Sequence, residues 1–179
     1  MAERPRLFIA VWPSAEVCDR LDALARPSAP GVRYTRRDQW HVTLRFIGAG
    51  AADEARAALE SVDAPAAVAR CGPVVSRLGR DAVVVPVAGL AALACAVITA
   101  TAGLGAPPGP RGFAGHLTLA RLKGRAVCAM AGARFSASFA VPEIALVRSD
   151  PGPEGVRYTT IAVHPLRKAS GERVAAEMP

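Results

Sequence analysis

His41-Val42-Thr43-Leu44 and His116-Leu117-Thr118-Leu119 are two copies of one pattern (His, apolar, Thr, Leu), set 75 positions apart in a chain of 179 residues. The chain has three histidines in all, so it commits two of them to this repeat. In an extended segment, residues i and i+2 project from the same face, roughly 7 Å apart. The His and Thr of each copy therefore point together, while Val42, Leu44, Leu117 and Leu119 turn to the opposite, buried face. Each copy predicts a strand that offers an imidazole beside a hydroxyl.

Working outward, Leu7 to Val11 is a continuous apolar run of strand length, followed by Pro13-Ser14, a stop and a helix N-cap. The spacing of Val17, Leu21 and Leu24 predicts a helix running to about Ala25, with Glu16, Asp19 and Arg20 facing water. Val32 to Thr35 and His41 to Ile47 read as two strands around the polar turn Arg36-Arg37-Asp38-Gln39, most simply a hairpin. Asp53 is placed to cap a second helix that turns Ala55, Ala58, Leu59 and Val62 inward. Strand-like pieces follow at Val74-Val75 and Val83 to Val85. An Ala-rich helix then runs from after Gly89 to Ala102, and a proline-rich loop spans 103–112. After it comes the strand His116 to Arg121, so the second half repeats the outline of the first. Further strands are predicted at Arg134 to Phe139, Ile144 to Arg148 and Arg157 to Val163. Strands and helices mix without regular βαβ alternation, which predicts an α+β fold with mainly antiparallel sheets, in two lobes of similar design.

If the two strands face one cleft, a phosphate held there meets two imidazoles from opposite sides and two Thr donors. Opening a cyclic phosphodiester needs a base to take a proton from water and an acid to protonate the departing ribose oxygen. Histidines, with an unperturbed pKa of about 6.5, can fill both roles near neutral pH, and Thr43 and Thr118 can stabilise charge on the phosphoryl oxygens. A single His-x-Thr is more often a structural strand histidine; its duplication reverses those odds. Arg121, three residues after Thr118, is a candidate phosphate contact. No metal is required, and the histidines lack the i, i+4 helical spacing of a zinc site. His164 precedes Pro165 without a Thr two positions on and is left out of the site.

The composition agrees with an anionic ligand. The net charge is +7, with 20 Arg and 2 Lys, although an Arg-, Ala-, Gly- and Pro-rich chain also reflects GC-rich coding. Cys18, Cys71, Cys95 and Cys128 form no CxxC pair and read as reduced, mostly buried thiols. The apolar stretch 83–102 is broken by Pro86 and Gly89 and is no membrane span. The N-terminus lacks the features of a signal peptide, so the expected location is the cytoplasm.

The segments Arg6 to Ala10, Trp40 to Gly48 (WHVTLRFIG) and Gly112 to Lys123 (GFAGHLTLARLK), with Ser149, Gly155 and Tyr158, resemble the RNA 2',3'-cyclic phosphodiesterases of the 2'-5' RNA ligase family, within the 2H phosphoesterase superfamily. The resemblance spans nearly the whole chain. It implies one bilobal domain over 1–179, with His41 and His116 catalytic, Thr43 and Thr118 as phosphate donors and Arg121 as an anion contact. It further implies that no cofactor is used, that the partners are RNAs with 2',3'-cyclic phosphate ends, tRNA fragments among them, that the product is a 2'-phosphomonoester, and that the chain is a monomer off the membrane. Phe113, able to stack on a base or pack in the core, and Tyr158 are further candidate substrate contacts. Gly115, where Pro or Ala is usual, is expected to loosen the approach to His116. A small cyclic nucleotide or ADP-ribose cyclic phosphate as substrate, and a non-catalytic RNA-binding module, are the competing expectations.

Overall fold

A computed structural model describes residues 6–108, 112–153 and 155–168. The apolar run forms β1 (Arg6–Val11). Ser14 caps α1 (Ala15–Asp22), its hydroxyl accepting the Val17 N–H at 3.4 Å. The helix stops short of the expected Ala25, because Leu24 N–H bonds the Leu21 carbonyl in a tightened last turn and Arg26 donates to the same carbonyl at 3.0 Å. After β2 (Val32–Tyr34) and a single 3-10 turn (Arg37–Gln39) comes β3 (Val42–Ala49), then α2 (Ala52–Glu60). Asp53 lies in the first turn of α2 instead of capping it; Ala51 occupies the cap without a side-chain bond. Then follow β4 (Ala67–Cys71), β5 (Ser76–Leu78), β6 (Ala82–Ala88), α3 (Ala91–Ala100), β7 (His116–Leu122), β8 (Ala137–Val141), β9 (Glu143–Asp150) and β10 (Arg157–Pro165). β4 has no counterpart in the sequence reading, since Ala-Val-Ala-Arg-Cys carries a single β-branched residue. Part of the loop at 103–112 lies outside the described residues.

The strands form two sheets, ordered β10-β9-β1-β3 and β2-β7-β6-β4-β8 with β5 added to β6, and every strand pairing is antiparallel. The α+β expectation holds. The hairpin of β2 with β3 does not: β2 pairs with β7 in the second sheet, while β3 pairs with β1 in the first. The segment between them instead bridges the sheets. The helices cross over as well, with α1 against β8 and α3 against β3. One continuous core results, joining Leu7, Ile9, Val42 and Leu44 of the first sheet to Val83, Val85, Leu117 and Leu119 of the second. The other face of the first sheet carries a smaller cluster of Phe8, Ala10, Ala145 and Val147, packed by Trp12 and Tyr158. Leu7 to Val11 is apolar at successive positions because β1 is covered on both faces. Among the described residues, no helix is long and apolar enough to cross a membrane.

Both motif strands bulge at the same place. On β3, Thr43 pairs with Ala10 and Arg45 with Ile9, leaving Leu44 without a partner; on β7, Thr118 pairs with Val84 and Ala120 with Val83, leaving Leu119. A bulge resets the period-2 alternation. Beyond it, Phe46 and Arg121, each five residues after its histidine, return to the side that carries His and Thr. Arg45 is thereby turned inward and is only 4% exposed. Its guanidinium donates to the carbonyls of Phe46 (2.6 Å), Leu104 (3.1 Å) and Ala106 (2.6 Å), tying the segment after α3 to β3. Arg45→Ala is expected to lower stability by about 2 kcal/mol in urea denaturation, since it removes a cluster of charge-assisted bonds that ties the segment after α3 to β3. An unchanged midpoint would show that water replaces them fully.

Candidate active site

The two sheets enclose a cavity of about 290 Å³. Phe8, His41, Thr43, Phe46, Ser149 and Tyr158 line it from the first sheet and the residue just before β3; Thr35, at the end of β2, and Arg33, His116, Thr118 and Arg121 line it from the second; Gln39 and Val156 complete the wall. His41 and Thr43, like His116 and Thr118, reach the same cavity because i and i+2 of a strand share a face. Of the residues singled out in the sequence, these four, Arg121 and Tyr158 are brought together. Phe113 is not among the lining residues; it is half-buried and packs against the core. His164 is bonded to the Val62 carbonyl at 2.9 Å, away from the cavity.

The backbone orients both imidazoles in the same way. His41 Nδ1 lies 2.7 Å from the Gln39 carbonyl and His116 Nδ1 2.8 Å from the Ala114 carbonyl, in each case two residues back. A carbonyl can only accept, so each Nδ1 carries the proton it donates, and Nε2 of the neutral ring keeps its lone pair. The approach to His116 is close rather than loose. A Cβ on Gly115 would stand 2.5 Å from the Val87 carbonyl oxygen, and Val87 N–H donates to the Gly115 carbonyl at 2.8 Å. Glycine lets the backbone lie flat on β6, so the expected loosening at this residue is not found.

The surroundings of His41 are aromatic. Its ring centroid is 4.8 Å from that of Phe8, 4.9 Å from Tyr158 and 5.7 Å from Trp12. Burial pushes its pKa down to about 4, opposed by the Gln39 carbonyl and reinforced by the charges of His116 and Arg121. At neutral pH it is an uncharged base.

Several contributors were not singled out in the sequence. Thr35 Oγ1 donates to the Thr118 carbonyl (2.7 Å) and accepts from Trp40 Nε1 (3.0 Å), fastening the segment before His41 to β7. Trp40 is 1% exposed and fixes that segment in the core. Gln39 Nε2 donates to the Val156 carbonyl at 2.8 Å, holding the β9–β10 connection over the cavity. These residues lie around a polar turn whose composition signals only a turn. Arg33, Phe46 and Phe8 reach the site through strand pairing and bulges that no local pattern announces. Among the described residues, no group of three or more His, Cys, Asp or Glu side chains could hold a metal ion. Cys18, Cys71 and Cys128 are buried and unpaired, and Cys95 is exposed.

A family model described as LigT-like phosphoesterase matches residues 11–85, the span that holds the first motif. The crystal structure of Escherichia coli LigT in its apo form shares 27% identity and superposes with a TM-score of 0.74, covering 93% of this chain and 100% of that one. The Thermus thermophilus protein TT0787 shares 27% identity with a TM-score of 0.72, over 91% and 98% of the two chains. A further crystal structure, of a phosphoesterase, gives 25% identity and a TM-score of 0.77, over 93% and 100%. No curated protein sequence matches the chain. The family model over residues 11–85 and these structural neighbours over more than nine-tenths of the chain make this chain similar in fold to the LigT-like phosphoesterases, with two His-x-Thr strands facing one cavity.

Proposed function

We propose that the protein hydrolyses the 2',3'-cyclic phosphate at RNA ends to a 2'-phosphomonoester, with His41 and His116 as the acid/base pair and without a metal. The observation that carries this reading is the convergence of both His-x-Thr couples on one cavity. His41, held neutral by burial and with Nδ1–H engaged by the Gln39 carbonyl, takes the proton of the attacking water at Nε2. The water oxygen bonds to phosphorus as the bond to O3' breaks. His116, in its protonated form, gives its Nε2 proton to O3', and its Nδ1–H to the Ala114 carbonyl keeps the ring turned for that transfer. Thr43 and Thr118 donate to the non-bridging oxygens, where charge builds. With a ribose 5'-hydroxyl replacing water, the same pair would join RNA ends through a 2'-5' bond, reversibly. Nucleotide-type ligands are in keeping with the fold: E. coli LigT has been crystallised with 3'-AMP and with phosphate. In the cell the chain would work as a cytoplasmic monomer on RNA fragments, tRNA halves included.

The test is incubation of the purified protein with a short RNA ending in a 2',3'-cyclic phosphate, in EDTA. Accumulation of the 2'-phosphate, and of no 3'-phosphate, is the expected result. Absence of product from this RNA and from mononucleoside cyclic phosphates alike would defeat the reading.

A further inference from the structure

The two His-Thr couples belong to different sheets, and one hydroxyl lies between them. A hydroxyl has one proton to give and lone pairs with which to accept; an indole N–H can only donate and a carbonyl can only accept. The directions at Thr35 are therefore fixed. Trp40 Nε1 donates to Thr35 Oγ1 at 3.0 Å, and Thr35 Oγ1 donates to the Thr118 carbonyl at 2.7 Å. Trp40 immediately precedes His41, so the relay runs from the neighbour of one histidine to the main chain of the opposite couple. Thr35 also lines the cavity, but its one proton is committed to Thr118 and is not offered to a ligand.

Both ends of the relay are anchored. Trp40 is 1% exposed, with the Arg26 guanidinium 5.0 Å from its ring centre, and Arg26 is itself bonded to the Leu21 carbonyl of α1. At the other end β7 bulges at Leu119, and the ladder of β2 stops at Tyr34 opposite Ala120. Thr35 takes over from there. Its N–H donates to the Leu119 carbonyl at 2.9 Å and its hydroxyl to the Thr118 carbonyl. A regular strand points successive carbonyls to opposite edges; the bulge turns two of them toward one residue, which binds one with its main chain and the other with its side chain. An alkyl side chain at this position keeps the first bond and loses the second, together with the acceptor of the buried indole N–H.

Acid and base groups work only when held within about 0.5 Å of the productive geometry. Resting on the reaction proposed above, we infer that Thr35 is a positioning residue for both halves of the site: its hydroxyl sets the spacing of the two His-Thr couples, holding the His41 side through Trp40 and the Thr118 side through the main chain. It acts on the chemical step rather than on substrate capture, because the groups that meet the substrate remain in place when it is lost.

The test compares Thr35→Val, Thr35→Ser and Trp40→Phe with the wild type, in the intact chain, on an RNA ending in a 2',3'-cyclic phosphate. Thr35→Val is expected to lower kcat at least about tenfold with KM within about threefold, and Thr35→Ser, which keeps the hydroxyl, to recover most of the rate. Trp40→Phe keeps an aromatic ring without the donor; combined with Thr35→Val it should cost little more than Thr35→Val alone, since the two share one path. A second readout needs no hydrolysis: nuclear magnetic resonance titration of the His41 ring. Its midpoint, about 4 in the wild type, should rise toward the ordinary histidine value in Thr35→Val, as the segment before His41 loosens, and stay low in Thr35→Ser. Wild-type kcat and an unmoved His41 titration in Thr35→Val, or losses that multiply in full in the double variant, would overturn the inference. A His41 response of this kind in a protein that opens no cyclic phosphate would keep the coupling and remove the proposed reaction instead.

Discussion

Replacing His116 with alanine is expected to slow opening of an RNA 2',3'-cyclic phosphate by at least about a hundredfold, and His41→Ala by a comparable factor. In the proposed reaction each ring handles a different proton, so losing either would leave one half of the transfer to water. The geometry makes the two losses separable. His41 is half-buried among Phe8, Trp12 and Tyr158, whereas His116 is oriented mainly by its bond to the Ala114 carbonyl. His116→Ala should therefore leave the urea midpoint nearly unchanged, and its lost rate can be assigned to chemistry. If substrates with an activated leaving group, which need little protonation, react almost as fast in His116→Ala as in the wild type, His116 is the acid. Wild-type turnover of the natural linkage in either variant would end the two-histidine mechanism.

Acid should destabilise the protein through His41. Its pKa is about 4 in the folded state against about 6.5 when the chain unfolds. Between those values the unfolded state binds more protons, so stability rises with pH across this window and is lost as pH falls from about 6.5 to about 4. The difference between the two states corresponds to about 3 kcal/mol in all. Urea denaturation at pH 7 and pH 4.5, in buffers without phosphate, should show a wild-type loss about 2 kcal/mol larger than that of His41→Phe, which keeps an aromatic ring in the box but cannot titrate. Asp22, whose carboxyl Arg37 holds below its usual range, titrates lower than this window and is common to both proteins. Equal losses in the two proteins would mean that the folded state accommodates the imidazolium, and that its aromatic surroundings do not keep His41 neutral.

Much of this molecule is legible one residue after another. The alternation in His41-Val42-Thr43-Leu44 and His116-Leu117-Thr118-Leu119 suffices to put imidazole and hydroxyl on one face and aliphatic side chains on the other, because the pleat of a strand is a local property. Ser14 ahead of Val17 and Leu21 suffices to start α1, since a cap and one apolar stripe need no distant partner. Which strands lie side by side is not local. Val32 to Tyr34 could have paired with β3 across a short turn, and pairs with β7 because Trp40 and Thr35 bind the intervening segment between the sheets, where Trp40 is buried. The bulges at Leu44 and Leu119 likewise exist only against their partner strands, and a single unpaired residue reverses which side chains face the cavity. The imidazoles and hydroxyls could therefore be named from the chain alone. Arg33, Phe46 and Phe8, and the aromatic enclosure that keeps His41 uncharged, came from contacts between residues far apart in sequence, whose burial energy depends on the assembled sheets.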